Sequence, residues 1–340
     1  MFIILITTSS KSYSKVYKIE NVEIKQPYNV YFKKEIVIEK AIIESFNLLV
    51  KSIIKSEDLN KVNFQDINKI KPMLDSFSIT DEQFVNNNYS AKFNVLFQKK
   101  DVLNYLNKRN IISSSPIKKQ LFFLPVLINL KNNELVIYNE NQIYLNWNTK
   151  EDESNLLSYF VPDEDLEDYN LIKKNINNIE NYNFTKILSK YNAKDYIVSI
   201  IFKDEKSIKI LSRISLNDNL NISNLKFDGI KKLNNKNSNI IVQNLKIYFE
   251  NEWKKVNEIN TSIKLPLTVS LDSKKIKLIN RFEQELNLSD LVYDYNIESI
   301  NSYNTIYKII YNGSPDKFLS KFKNKKFNVD ISNKVWIIND

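Results

Sequence analysis

The side chains best suited to chemistry form an acidic run. Glu151, Asp152 and Glu153 are followed by Asp163, Glu164, Asp165, Glu167 and Asp168. Carboxylate oxygens at this density are what a hard cation such as Ca²⁺ takes as ligands. No glycine stands where an EF-hand loop needs its sharp turn. A solvated loop leading into a helix N-terminus, where acidic side chains are favoured, accounts for the run better. A glycosidase would need two carboxylates at a fixed separation in space, which a sequence does not show. Lysine serves as a Schiff-base or general-base residue when buried, and nothing in the pattern singles out one lysine. Trp147, Trp253 and Trp336 are candidates to stack on bases or sugars. Trp253 sits at helical spacing from Phe249 and Val256, and Trp336 lies in a terminal strand, so packing is the better account.

The absences exclude more. The 340 residues include no Cys and no His. Thiol nucleophiles, disulfides, Fe–S clusters and thiolate zinc sites are impossible, and so are His-based triads and nearly every zinc or haem site. Only two glycines occur, Gly229 and Gly313. Phosphate-cradling loops and dinucleotide fingerprints need clustered glycine. The sequence therefore assigns no catalytic, cofactor-binding or metal-ligating residue and no cofactor, and the expectation is a protein that is not an enzyme.

The formal charge is +9, from 49 Lys+Arg against 40 Asp+Glu. That sign permits binding to nucleic acid or anionic lipid. The basic residues are overwhelmingly Lys, spread along the chain, whereas base and phosphate readers favour Arg forks. Lys, Asn, Ile, Tyr and Phe are abundant together, the set that AT-rich codons encode. The densest basic run, Lys323-Asn324-Lys325-Lys326, reads as a solvated face.

The elements fall into an α+β pattern of three small modules in tandem. Residues 15–117 read as a strand–helix–strand–strand–helix module. Val16 to Ile24 is strand-like, and Ile42, Phe46, Leu49 and Ile53 make one helical stripe. Tyr89, Ala91, Phe93, Val95 and Phe97 alternate with polar residues, as in a half-buried antiparallel strand. Ser113 to Pro116 breaks the chain. Residues 118–237 read as a central α/β module: Leu121 to Leu130 is a strand buried on both faces, Asn170 to Tyr191 a helix, and Tyr196 to Phe202 another buried strand. Residues 238–340 read as a helix containing Trp253 followed by a ferredoxin-like split βαβ unit. No run of about 18 apolar residues appears, which rules out a multi-span membrane protein. Residues 1–14 begin MFIILITT. This is either a short or truncated export signal without a basic region before it, or a buried first strand.

The order of several short features resembles an uncharacterised proteobacterial family, domain of unknown function 2066. The features are the Val16 strand with its long helix, Phe77-Ser78-Ile79-Thr80-Asp81-Glu82, Tyr89-Ser90-Ala91, Leu124-Pro125-Val126 and Tyr191-Asn192-Ala193-Lys194-Asp195. Trp253-Lys254, Tyr311-Asn312-Gly313-Ser314 and Val335-Trp336 follow in order. The first helix, KKEIVIEKAIIESF, departs from the family's Arg- and Ala-rich form, and its glycine-rich steps are Asn or Lys here. The resemblance implies export and a truncated signal at residues 1–14. It also implies a periplasmic or envelope-associated location, with peripheral membrane contact open. The expected function is a non-enzymatic envelope adaptor with a protein partner and no nucleic acid. The competing expectation is a cytoplasmic, basic nucleic-acid-binding protein.

Overall fold

The computed structural model describes residues 16–62, 64–147, 154–230, 232–259 and 263–340. The readings of residues 1–14 and of Glu151, Asp152 and Glu153 lie outside the described residues. The chain is α+β. Its elements are β1 (Val16–Pro27), α1 (Lys34–Ile53), α2 (Ile67–Ile70), β2 (Leu74–Val85), β3 (Asn88–Gln98), α3 (Lys99–Asn107) and β4 (Ser113–Ser114). Then come β5 (Lys119–Asn129), β6 (Glu134–Val136), α4 (Gln142–Trp147), β7 (Leu157–Phe160), α5 (Leu166–Lys174) and α6 (Thr185–Lys190). They are followed by β8 (Tyr196–Lys203), β9 (Ser207–Leu216), β10 (Asn219–Asp228) and α7 (Asn235–Val256). The last stretch holds β11 (Glu258–Ile259), β12 (Leu265–Asp272), α8 (Ile276–Leu288), β13 (Val292–Ile300), β14 (Asn304–Tyr311), α9 (Pro315–Asn324), β15 (Asn328–Asp330) and β16 (Trp336–Asn339).

The chain divides into two compact units, residues 1–115 with 258–340, and residues 116–257. In the first unit the chain leaves through β4 and returns through β11, and these two short strands pair, Ser114 opposite Glu258 and Ser113 opposite Ile259. The N-terminal sheet has the order β1-β3-β2. β3 buries Tyr89, Ala91, Phe93, Val95 and Phe97 against α1, whose Val37, Ala41, Phe46, Leu49 and Ile53 form the facing stripe. Alternation at period two meeting a stripe at period 3.6 is what packs one sheet face on one helix. The other sheet of this unit has the order β13-β14-β12-β16-β15. β12 runs antiparallel to β14 and parallel to β16. Phe282 of α8 and Phe318 and Phe322 of α9 cover that sheet with Tyr307 and Tyr311.

The second unit is a six-stranded sheet with the path β10-β9-β8-β5-β6, and β7 also pairs with β5. β5 is buried on both faces: Leu121, Phe123 and Leu127 face a core that includes α4 and α7, and Phe122, Leu124, Val126 and Ile128 face α5 and α6. Pro125 stands where β5 has no neighbour on that edge, since β7 pairs only up to Phe122 and β6 only from Leu127. A residue without an N–H is tolerated at such a gap. α7, which the sequence reading placed at the head of the last module, lays Ile241, Leu245, Phe249 and Trp253 on this sheet. The helix expected over Asn170 to Tyr191 is two helices, α5 and α6, separated by turns. Asn175 Nδ2 donates back to the Leu171 carbonyl at 2.7 Å, and Asn183 Oδ1 accepts from Thr185 N at 2.9 Å. Asparagine side chains that bond local backbone compete with the helix ladder.

Two hairpins depend on asparagine. Asn86 and Asn87 turn β2 into β3 with φ of 50° and 57°, and Asn217 and Asp218 turn β9 into β10 with 50° and 63°. Two successive residues of positive φ make the turn whose twist matches the strands. Replacing Asn87 by Val, which resists positive φ, is expected to cost about 1–2 kcal/mol, while Asn87→Gly stays within a few tenths; urea unfolding midpoints measure both. A second expectation concerns acid. Asp195 joins the start of β8 to its surroundings, ion-pairing with Lys119 and accepting from Asn217 N at 2.7 Å. Burial alone would raise its pKa, but Lys119 and the Asn217 N–H bring it below the usual carboxylate range. A depressed folded-state pKa stabilises above the unfolded value and is lost as pH falls through the folded one. Asp195→Asn is therefore expected to cost about 1 kcal/mol at neutral pH, with the gap to wild type closing in urea titrations as pH falls through the lowered folded-state pKa.

Candidate functional site

Two places in the first unit concentrate unusual side chains. One is a charged cluster made by residues far apart in the chain. Lys99, the first residue of α3, follows Phe97 by two positions and continues the inward alternation of β3. Its side chain is 7% exposed. An ammonium so placed needs a counter-charge, and Asp290 supplies one at 2.6 Å. Lys99 Nζ also approaches the Ser289 carbonyl at 3.4 Å and the Tyr17 ring at 5.7 Å. The Tyr17 hydroxyl is buried without a hydrogen-bond partner, and burial, then Asp290, push its pKa well up. From α9, Lys321 donates to Ser289 Oγ at 2.8 Å. Beside the cluster a cavity of about 210 Å³ is lined by Gln98, Lys99, Lys100, Leu103 and Val292 to Tyr295.

The arrangement has the parts of a Ser–Lys pair, a hydroxyl beside an amine. Ser289 is 1% exposed, so a substrate does not reach its oxygen. What the geometry does is couple α3 to the α8–β13 corner through a buried ion pair.

The other place is apolar and outward. The turn between β1 and α1 and the hairpin between β2 and β3 meet at one tip. Tyr28 N donates to Asn87 O at 2.7 Å, and the Tyr28 and Phe84 rings lie 5.1 Å apart, edge to face. Tyr28, Val30, Tyr31, Ile36, Phe84 and Val85 are all exposed there, Val30 and Tyr31 at 92% and 85%. The inner residues of β2 face the core side, Phe77 opposite Val95 and Phe84 opposite Tyr89, yet α1 packs on β1 and β3. That leaves the edge strand uncovered. Glu82 sits at the margin, paired with Lys34 at 2.6 Å and accepting from the Tyr89 hydroxyl at 2.8 Å. Those two partners hold its carboxyl below the usual range. Burial, then Glu82, push Tyr89 up to about 12.

The described part of the acidic run is engaged by neighbouring side chains and backbone. Asp165 caps α5, accepting from Asp168 N at 2.9 Å, and ion-pairs with Lys190 at 2.6 Å. Asp168 is fully buried rather than solvated, bound by Tyr191 OH at 2.9 Å and Lys190 at 3.3 Å. Burial, then Asp168, push Tyr191 up to about 12. Among the described residues no group of three or more carboxylates could hold a metal ion. Trp147 is buried and stacked on Phe123 at 3.7 Å, and Trp253 Nε1 donates to Ile117 O at 2.7 Å. Trp336 lies edge-on to Phe318 at 5.7 Å. Among the described residues no helix is long and apolar enough to cross a membrane.

No family model matches the chain. Its sequence is similar to Protein Ycf2 of the moss Physcomitrium patens, 29% identical over 306 residues. The match covers 88% of this chain, which spans 12% of that protein's length. The resemblance to domain of unknown function 2066 is thereby corrected: no family model supports it, and the similarity found is to a moss protein. The exported proteobacterial envelope adaptor that rested on it, with its signal and periplasm, loses its basis. The physical reason is compositional. Short words such as Tyr311-Asn312-Gly313-Ser314 are built mostly from residue types in which this chain is rich, and such words recur without common descent.

The buried pair gives a test. Asp290→Asn leaves Lys99 without its counter-charge and is expected to cost about 2–4 kcal/mol. Lys99→Met with Asp290→Asn is expected to cost much less than the sum of the single changes, measured as a double-mutant cycle in urea.

Proposed function

We propose that this chain is a non-catalytic protein-binding scaffold that takes its partner at the aromatic tip of the first unit. The observation that carries this is the exposed Tyr28–Phe84 ring pair, with the exposed Val30 and Tyr31 next in sequence, where the turn after β1 is hydrogen-bonded to the β2–β3 turn. Isolated surface apolar residues need no explanation, but exposed aromatic side chains held together by ring contacts at one tip are candidates for an interaction site. Tyrosine and phenylalanine on a rigid hairpin also lose little conformational freedom on binding. The uncovered β2 edge beside the tip offers backbone groups to an added strand.

The sequence's lack of His and Cys supports the non-catalytic half of the reading. A nucleic-acid partner is not favoured. Of the lysines by the tip, Lys34 is paired with Glu82, Lys40 donates to Gln26 at 3.3 Å, and Lys71 pairs with Glu39 at 2.8 Å. We also read the chain as three small modules, the last ferredoxin-like. The strand order β13-β14-β12 with α8 and α9 on one face supports this, with β16 as an additional strand running parallel to β12.

Site-specific photocrosslinking tests the proposal. The full chain carries a photoreactive phenylalanine analogue at Phe84 or, as control, at the exposed Leu166, and is irradiated in its own cells. A discrete protein adduct from position 84 is expected, absent from position 166 and lost when Val30 and Tyr31 are changed to Ser. Equal adducts from both positions, or none from position 84, would overturn it.

A further inference from the structure

We propose that the groove between the end of α9 and β15 is a docking site for an acidic peptide segment carrying an apolar side chain. The groove has a volume of about 510 Å³ and is open to solvent. Leu319 and Lys323 line it from α9, and Lys326, Phe327, Val329 and Asp340 complete it. The fold divides the basic run Lys323-Asn324-Lys325-Lys326. Lys325 ion-pairs with Glu285 of α8 at 3.2 Å. Lys323 and Lys326 are exposed beside the groove, and neither has a carboxylate within ion-pair distance among the described residues. Asp340, the carboxylate in the lining, is held by Arg281 at 3.2 Å and Lys275 at 3.8 Å. Asp330 on β15 accepts from Ser332 N at 2.9 Å. The negative end of α9 contributes about half a charge, which offsets only part of one lysine.

Lys326 stands where a lysine is poorly suited. Phe327 N donates to the Phe322 carbonyl at 3.0 Å and Lys326 N to the Lys323 carbonyl at 2.9 Å. This bond pair closes a helix through one left-handed residue, usually Gly and sometimes Asn. Lys326 is that residue here, with φ of 62°. α3 and α6 end with the same bond pair, and there the left-handed residues are Asn110 and Asn192. Elsewhere the described residues at positive φ are Asn, Asp or Gly229, apart from Tyr138. A residue held in a conformation that another type adopts more easily points to a use for its side chain. What Lys326 adds over Asn is an ammonium on a long stem beside the groove.

The lining favours one class of ligand. Leu319 and Val329 are half-buried and offer apolar contact. A groove open on one side suits a segment that keeps its far side in water, whereas small molecules are held by enclosure. β15 is the edge of its sheet and pairs with β16 alone, so its other side has backbone groups for an extended peptide. Nucleic acid is less well served. Phe327 is buried, with the Arg281 guanidinium 4.4 Å from its ring centre, so its ring is not a platform for a base.

Fluorescence anisotropy with the full chain and a labelled peptide, a central leucine flanked on both sides by glutamates, tests this. Saturable binding with a Kd of about 0.1 mM or tighter is expected at low salt, weakening as salt rises. Lys323→Glu with Lys326→Glu is expected to weaken it at least about fivefold. Lys131→Glu with Lys206→Glu, exposed lysines of the second unit, is the charge-matched control and is expected to change it less than about twofold. A peptide with serine in place of the leucine is expected to bind at least about threefold more weakly. Lys326→Gly separates binding from folding. It is expected to raise the urea midpoint, because glycine suits the left-handed position, and to weaken the peptide about twofold. No saturable binding by about 1 mM, equal losses in the two double variants, undiminished binding of the serine peptide or by Lys326→Gly, or tighter binding of an oligothymidylate than of the peptide would each overturn the proposal.

Discussion

A chain with two glycines must still turn its strands, and the left-handed backbone that tight turns require is where this protein is most constrained. Asparagine meets the need. Asn21, Asn86, Asn87, Asn110, Asn133, Asn192 and Asn217 all have positive φ, a region the amide side chain tolerates by bonding its own backbone. The consequence reaches the cores. The Asn86-Asn87 turn sets β3 against β2 with Tyr89 opposite Phe84 and Phe97 opposite Leu74. A slip of one residue would send Tyr89, Phe93 and Phe97 to the solvent face. Asn217-Asp218 sets β10 on β9 in the same way. The asparagine richness that reads as a codon imprint is thus also a structural resource.

The first unit is discontinuous and needs something to hold its two segments in register. Part of the answer is the β4–β11 pair, flanked by Lys55 and Glu258 at 2.7 Å. Another part is Lys99 with Asp290, beside Lys100 with Asp294 at 3.8 Å and the Tyr293 hydroxyl donating to Asn104 Oδ1 at 3.4 Å. A buried ion pair contributes little net stability, because desolvation offsets most of its attraction. It is, however, severe on wrong arrangements, since any shift that parts the two groups strands a charge. The same logic holds in the second unit, where Asp168, buried on α5, is met by Lys190 and Tyr191 from the end of α6. Tyr138, itself at positive φ, has its hydroxyl buried without a partner in that unit, and burial, then Asp168, raise its pKa. These two charged clusters each stand at a junction between elements, whereas buried serines such as Ser199 and Ser212, 2.8 Å apart, pair within a sheet.

What the sequence disclosed follows from the range of the interactions involved. α1, β3 and β5 were legible because their patterns are local: a stripe, an alternation, an unbroken apolar run. The break between α5 and α6 was partly legible, since Asn175 and Asn183 compete with the helix through bonds only two to four residues long. Lys99 could have been found by carrying the β3 alternation two residues past Phe97 and asking why a lysine occupied the next inward position. Lys321 could not, because Ser289 and Asp290 lie on another element and only the fold brings them together. The family resemblance failed for the opposite reason. It relied on short words, and a biased composition generates short words freely.

The exposed tip poses the sharper physical question, since an uncovered strand edge with apolar residues is ordinarily a liability. Two features confine it. By register with the outward residues of β3, the outward side chains of β2 before Val85 are Ser76, Ser78, Asp81 and Gln83, which keeps most of that face polar. Lys34, locked to Glu82, stands at the border of the patch and puts charge where an unwanted copy would approach. The apolar surface is therefore restricted to the end of the sheet where two turns brace each other, through Tyr28 on Asn87 and through the Tyr28, Phe32, Phe84 and Tyr89 rings at 4.9 to 5.1 Å. Braced aromatics on a rigid hairpin lose little freedom when covered. Polar flanks make indiscriminate covering costly. On the proposed reading, that combination would favour one specific partner over self-association.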